Sequence, residues 1–285
     1  MDDVRTALAE QHAELWGLIS DLDEAAWQRP SRCEGWSVAD VVLHLAQTDE
    51  LALASLQGRF DDAVHGLAGS IGEAPRAEPA STSAGAGGPA PDAPLGTRPP
   101  DTRPFDPDVR VDDGAALAVA GQRGEPGAVV GRRWRAASGG VRDALATVDP
   151  SARVLWVAGR VSATTLASTR LAECWIHTGD VAEPLGVDLV PGGRLRHVAR
   201  LAWRTLPYAF AQAGRELAGP VAFHLRGPDG ATWDFVPDDE PLTVVEGDGV
   251  ELCLVAARRT PGAAAGLRAT GPDAAAVLDL VRTYA

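Results

Sequence analysis

The chain contains no lysine, so arginine supplies every basic side chain apart from histidine. Its 26 arginines are outnumbered by 39 acidic residues, which gives a net charge of −13 at neutral pH. Nucleic acids and anionic membrane surfaces attract basic proteins, so this acidic balance argues against both as partners. The absence of lysine, in a sequence rich in Ala, Gly, Val and Arg, indicates a GC-rich coding bias rather than a function.

Cysteine is also scarce, with only Cys33, Cys174 and Cys253 in 285 residues. An odd number at such wide spacing predicts neither a disulfide framework nor a cysteine zinc cluster. No apolar run approaches the length of a membrane span, and the charged N-terminus lacks the pattern of a signal peptide. We therefore expect a soluble protein in a reducing, cytoplasmic compartment.

The apolar residues, 45% of the chain, suffice for a sizeable core. Their spacing predicts helices over about 4–22, 38–56, 126–148, 163–182 and 193–212. Further along it predicts strands at about 221–226, 232–236, 242–245 and 267–270, with a closing helix at 273–284. Residues 250–257 fit either a strand or a helix. The sequence thus predicts an α+β protein, helical over 1–190, with a small α+β domain over 191–285.

One segment interrupts the helical part. Residues 66–104 are dominated by Ala, Gly, Pro and Ser, which predicts a long loop or a disordered insertion. Long loops in compact domains are usually either disordered or lids over a functional site, and the sequence leaves both possible.

Three candidate metal ligands lie on two of the predicted helices. Glu173 and His177 are four residues apart and share a helix face, and His44 lies at the edge of the apolar face of another helix. Imidazole and carboxylate suit zinc, and three protein ligands leave one position for water or substrate, as in catalytic sites. The same donors can hold Fe(II), and Glu173 could instead pair with Arg170.

Three further polar residues are candidates for the chemistry. Asp180, one helical turn after the second histidine, could orient that histidine or be a charge at the helix end. Arg204 and Arg258 could each clamp a substrate carboxylate through two parallel hydrogen bonds, or be surface arginines. Cys33 lies in a loop where nothing nearby marks its thiol as activated.

Two runs of residues resemble a known family. Residues 33–40 (CEGWSVAD), followed by His44, resemble the N-terminal signature of the DinB-like proteins related to mycothiol-dependent maleylpyruvate isomerase. Glu173, His177 and Asp180, spaced as E-x-x-x-H-x-x-D, resemble the second signature. The resemblance continues at 185–187, 194–199, 204–210 and 258–259 and covers most of the chain outside 66–125. It is closest to an actinobacterial branch of metal-binding proteins.

This resemblance implies an antiparallel four-helix bundle that holds a divalent metal, usually zinc, with His44, Glu173 and His177 as ligands. Fe(II) and Ni(II) are the alternatives. It also implies a C-terminal domain similar to sterol-carrier proteins, in which an arginine helps to bind substrate or thiol. The long insertion falls where the second and third bundle helices join, which departs from the family pattern and bears on access to the site.

The activity implied is metal-dependent isomerisation or transfer, in which a low-molecular-weight thiol, mycothiol, adds to an electrophilic or anionic small molecule. A second hypothesis is a thiol-independent hydrolase, cyclase or rearrangement enzyme of secondary metabolism, in which the metal acts as Lewis acid or activates water. A third is a non-catalytic metal- or ligand-binding module. The sequence leaves monomer and homodimer open.

Overall fold

The computed structural model describes residues 2–72, 111–157 and 159–283. Its helices are α1 (Asp2–Ile19), α2 (Glu24–Trp27), α3 (Val38–Leu56), α4 (Phe60–Gly72), α5 (Val111–Gln122), α6 (Gly127–Thr147), α7 (Ala163–Leu185), α8 (Leu195–Gln212), α9 (Gly249–Ala256) and α10 (Ala274–Leu280). Its strands are β1 (Arg153–Trp156), β2 (Gly159–Ser162), β3 (Val221–Arg226), β4 (Thr232–Phe235), β5 (Thr243–Asp248) and β6 (Arg268–Thr270). The described chain is therefore a helix-rich α+β protein, as the sequence predicts.

The predicted helices and strands are confirmed to within a few residues. Residues 250–257, which fit either element, form α9, because the Asp248 side chain accepts hydrogen bonds from the first backbone amides of a helix. The segment expected to be a loop from residue 66 is helical until Gly72, and its remainder lies outside the described residues. Helices α2, α4 and α5 and the β1–β2 hairpin were not predicted.

Helix α3 is central to the helical part and packs against α6 and α7. A capping box starts it: the Ser37 hydroxyl accepts from the Asp40 amide at 3.2 Å, and the Asp40 carboxylate accepts from the Ser37 amide at 2.9 Å. Gly140 allows α6 to approach closely, since a Cβ there would meet Leu53 Cδ2 at 2.7 Å. Because neighbours surround it, α3 is buried on most of its circumference.

Helix α7 packs against α1, α3 and α8 and so joins the two parts of the chain. The Ser162 hydroxyl caps its first turn by accepting from the Thr165 amide. Pro184 lies inside its last turn, and the helix ends at Gly186, whose φ of 71° is the left-handed conformation favoured at helix C-termini.

The C-terminal residues form a four-stranded sheet in the order β4-β3-β5-β6. Strand β3 pairs antiparallel with β4 and parallel with β5, and β6 pairs antiparallel with β5. Helix α8 lies against the sheet, where the Trp203 ring stacks on Phe235 and its Nε1 donates to the Val221 carbonyl at 2.7 Å. One hydrophobic core extends from the helices into this sheet. Among the described residues, no helix combines the length and apolarity that crossing a membrane requires.

Candidate metal centre

The three predicted ligands meet between α3 and α7. His44 Nε2 lies 3.4 Å from Glu173 Oε2, and His177 Nε2 lies 3.7 Å from the same oxygen. The two imidazole rings are 5.0 Å apart, centroid to centroid. One donor atom from each residue lies within 4.8 Å of the other two, so the donors converge on a volume that a single ion can fill.

The local structure explains this convergence. The capping box fixes the start of α3 at Val38, which places His44 about two turns into the helix, facing α7. Glu173 and His177 lie one turn apart on α7 and on the same face. Their side chains are 21% and 12% exposed, and that of His44 is 10% exposed, so the site is shielded but still reachable by a small molecule.

The protonation states at this site suit a metal. Burial acts to raise the pKa of Glu173, but the hydrogen bond with His44 and the nearby positive charges outweigh it and bring that pKa to about 2. Burial lowers the pKa of His44 below its ordinary value. At neutral pH the carboxylate is therefore ionised and this imidazole neutral, which are the forms that bind metal ions.

Asp180 orients the second histidine. Its Oδ2 accepts a hydrogen bond from His177 Nδ1 at 2.9 Å, which leaves the lone pair of His177 Nε2, 3.7 Å from Glu173 Oε2, available to a metal ion. Its side chain is 1% exposed. Burial acts to raise the pKa of Asp180, but hydrogen bonds from His177 and an arginine outweigh it, so this pKa lies well below its ordinary value. Such carboxylate–histidine pairs are the usual support of histidine ligands.

The arginine that reaches this carboxylate is Arg259, and not the predicted Arg258. Arg259 Nε donates to Asp180 Oδ1 at 2.7 Å, and its Nη2 donates to Oδ2. Arg258 is exposed, and its Nη1 donates to the Asp279 carbonyl at 2.6 Å. Arg258 has a φ of 59°, in the left-handed region, and lies just after the end of α9, directly before Arg259.

Arg204 does not join the site. It is exposed on α8, and within the described part of the chain no contact connects it with the three ligands. Of the predicted catalytic residues, the structure therefore brings only Asp180 to the metal ligands.

Cys33, the first residue of the N-terminal signature, lies at the site, although the sequence predicts no role for its thiol there. Its Sγ donates to Asp180 Oδ2 at 3.3 Å and lies 4.0 Å from both His177 Nδ1 and Arg259 Nη2. Burial and the Asp180 carboxylate raise the pKa of Cys33 to about 12, so its thiol stays protonated and acts as a donor rather than a nucleophile. Cys174, by contrast, is buried in the hydrophobic core.

A buried ion pair supports the site from one turn below. Arg170 Nε donates to Asp49 Oδ1 at 2.8 Å, and Arg170 Nη2 donates to Thr48 Oγ1 at 2.8 Å. Trp134 Nε1 donates to the other Asp49 oxygen at 3.1 Å. Arg170 therefore pairs with α3 rather than with Glu173 on its own helix.

The family model described as the mycothiol maleylpyruvate isomerase N-terminal domain matches residues 8–182. The chain belongs to this family. The three metal-ligand candidates and Asp180 lie within the matched residues, whereas Arg259 lies beyond them. The family assignment thus covers the helical half of the site.

Two mycobacterial proteins and two solved structures resemble the chain over nearly its whole length. The uncharacterized proteins Rv0036c and MT0041 of two Mycobacterium tuberculosis strains, H37Rv and CDC 1551, are each 29% identical over 98% of this chain and 93% of their own. A crystal structure of the mycothiol-dependent maleylpyruvate isomerase superposes with a TM-score of 0.54, at 18% identity, over 94% of this chain and 92% of that one. A mutant of that isomerase, with one histidine replaced by alanine, superposes with a TM-score of 0.51, at 17% identity, over 89% of this chain and 87% of that one.

Proposed function

We propose that the protein is a metal-dependent enzyme that uses mycothiol to isomerise, or transfer a group to, an electrophilic small molecule. The observation that carries the proposal is the convergence of His44, Glu173 and His177 on one point, with Asp180 behind the second histidine. The family membership and the names of the structural neighbours support the choice of mycothiol and of isomerase chemistry.

The donor set fits a divalent metal, most simply zinc. Two imidazoles and one carboxylate would hold the ion and leave a coordination position for a further ligand. Bound there, the metal would lower the pKa of a thiol and polarise a carbonyl. Fe(II) and Ni(II) suit the same donors.

In the isomerisation we propose, the thiolate sulfur adds to one carbon of a C=C bond conjugated with a carbonyl. The π electrons move to the carbonyl oxygen, the former double bond rotates, and the reverse movement expels the thiolate. Asp180 keeps the proton on His177 Nδ1 throughout and so holds the ring in place. Arg259, rather than the expected Arg258, acts through Asp180: it donates to both carboxylate oxygens and so fixes the group that orients His177.

Two structural assignments belong with this proposal. The long helices α1, α3, α6 and α7 would form the antiparallel bundle of the DinB-like proteins. The residues after about 190 would form the sterol-carrier-like domain, which contributes Arg259 to the site. A small-molecule substrate is the expected partner.

Elemental analysis of purified, metal-replete protein tests the metal site. We expect about one zinc per chain in the wild type. Glu173→Ala and His177→Ala should lose it, because each removes one of three donors. Glu50→Ala and His224→Ala are matched controls, since both residues pair on the surface away from the site, and they should keep it.

Turnover of maleylpyruvate with and without mycothiol then tests the reaction. Isomerisation that requires both zinc and mycothiol is expected. Metal-dependent conversion of substrates without any thiol would replace the proposal by the hydrolase or rearrangement hypothesis. Wild-type protein that contains no metal even after purification under metal-replete conditions would refute the proposed function altogether.

A further inference from the structure

A second concave region adjoins the metal site. An open cavity of about 760 Å³ lies between α2, the loop after it, the first turns of α3, and the connection from α5 to α6. Sites for small molecules typically have volumes of about 300–1,000 Å³, so this cavity is large enough for one. None of the three metal-ligand candidates lines it, and it is therefore a separate compartment.

The cavity and the metal site share a wall. Cys33 and Trp36, in the loop before α3, both line the cavity. On the other side, Cys33 Sγ lies 4.0 Å from His177 Nδ1, and the Trp36 ring lies 5.4 Å from the His44 ring. A ligand in the cavity is thus separated from the metal ligands by little more than these two side chains.

The charge of the lining disfavours anionic ligands. Three carboxylates face the cavity against one guanidinium: Glu24, Asp40 and Glu125 against Arg123. Arg123 Nε lies 3.2 Å from an Asp40 oxygen, so that pair is internally compensated and two carboxylates remain. An anionic substrate would be repelled here, whereas an uncharged molecule with many hydroxyl groups would find acceptors.

The remaining lining suits the same chemistry. Trp36 adds an indole ring, a flat apolar surface on which the C–H face of a sugar can pack. Gln28 adds an amide at the exposed end of α2, whose Nε2 donates to Glu24 at 2.8 Å. Small-molecule sites combine apolar walls with a few placed polar groups in this way.

We propose that this cavity binds the uncharged, hydroxyl-rich pseudodisaccharide end of mycothiol, while its sulfur reaches the metal ligands past the loop of Cys33 and Trp36. The proposal rests on the proposed function for the identity of the thiol.

The test measures binding of S-methyl mycothiol to the zinc-loaded protein by titration calorimetry. This thioether keeps the sugar end and cannot supply a thiolate, so its affinity reports on the cavity rather than on the metal. Gln28→Trp puts a bulky ring on the cavity rim at an exposed position. Ala25→Trp, exposed on the same short helix but outside the lining, is the matched control.

We expect saturable binding by the wild type, weakening by about tenfold or more in Gln28→Trp, and no change in Ala25→Trp. Absence of saturable binding, or equal affinity in all three proteins, would overturn the cavity proposal. The proposed function fails independently of this result, through loss of zinc binding or of mycothiol-dependent turnover. Mycothiol-dependent turnover by the wild type, together with unchanged affinity of Gln28→Trp for S-methyl mycothiol, would refute the cavity proposal and leave the proposed function intact.

Discussion

Replacement of Arg170 by methionine should destabilise the protein far more than loss of a surface ion pair. Arg170 and Asp49 are 1% and 2% exposed, so the variant leaves the Asp49 carboxylate in the core, where Trp134 is its one remaining side-chain donor among the described residues. Removal of one partner from a buried pair costs about 3–5 kcal/mol. For a chain of this size that corresponds to a fall in melting temperature of roughly 10 °C.

Urea unfolding of the metal-free protein, followed by circular dichroism, gives the free energy of unfolding. Arg133→Met is the matched control, because Arg133 makes a two-bonded pair with Glu50 on the same helix as Asp49 but is one-third exposed. It should cost no more than about 1 kcal/mol. The double variant Asp49→Asn with Arg170→Met removes both buried charges and should recover much of the loss.

The same variants report on the metal site. Arg170 lies one turn before Glu173 on α7, and its partner Asp49 lies just over one turn after His44 on α3. The pair therefore fixes the distance between the helices that carry the ligands. Arg170→Met should weaken zinc binding in a chelator competition, and Arg133→Met should not. Equal unfolding free energies for the two single variants would show that the burial argument is wrong.

Three further predictions concern the site itself. Arg258→Gly should preserve turnover, because glycine adopts the observed left-handed backbone freely. Arg259→Gln should abolish most of the turnover. Steady-state kinetics of the two variants therefore shows which of the two arginines the reaction requires. The metal-free protein should lose stability as the pH falls from about 4.5 toward 2, because folding lowers the pKa of Glu173. In Glu173→Gln the free energy of unfolding should depend less on pH over this range. Cys33 should react with iodoacetamide at pH 7 much more slowly than a free thiol, and mass spectrometry can measure the rate. Asp180→Asn should speed the reaction, because it lowers the pKa of the Cys33 thiol.

The parts of the site that were predictable are those encoded locally. Glu173 and His177 share a face because they are four residues apart on a helix. Ser37 is a favourable N-cap residue and so predicts where the helix that carries His44 begins. Apolar periodicity likewise predicts the long helices. The β1–β2 hairpin was not predicted because each strand has only four residues and neither shows a clear alternation of apolar and polar positions.

The contacts that were not predictable depend on residues far apart in sequence. Arg170 had a candidate partner three residues away, and only the packing of α3 against α7 shows that Asp49 is the partner. Cys33 is 147 positions from the carboxylate that raises its pKa. Arg259 rather than Arg258 reaches Asp180, and the left-handed backbone of Arg258 beside it is a conformation that the propensities of arginine do not predict.

Asp180 connects these long-range contacts into one unit. It accepts from His177 on its own helix, from Cys33 in the N-terminal loop and from Arg259 after α9, and the Arg32 amide donates to its backbone carbonyl at 3.4 Å. Three separate segments of the chain must therefore be in place before the second histidine is held correctly. Because Arg259 lies outside the residues that the family model matches, members that share only the matched part would lack this cation. The C-terminal residues thus contribute directly to the site, and the chemistry we propose requires both parts of the chain.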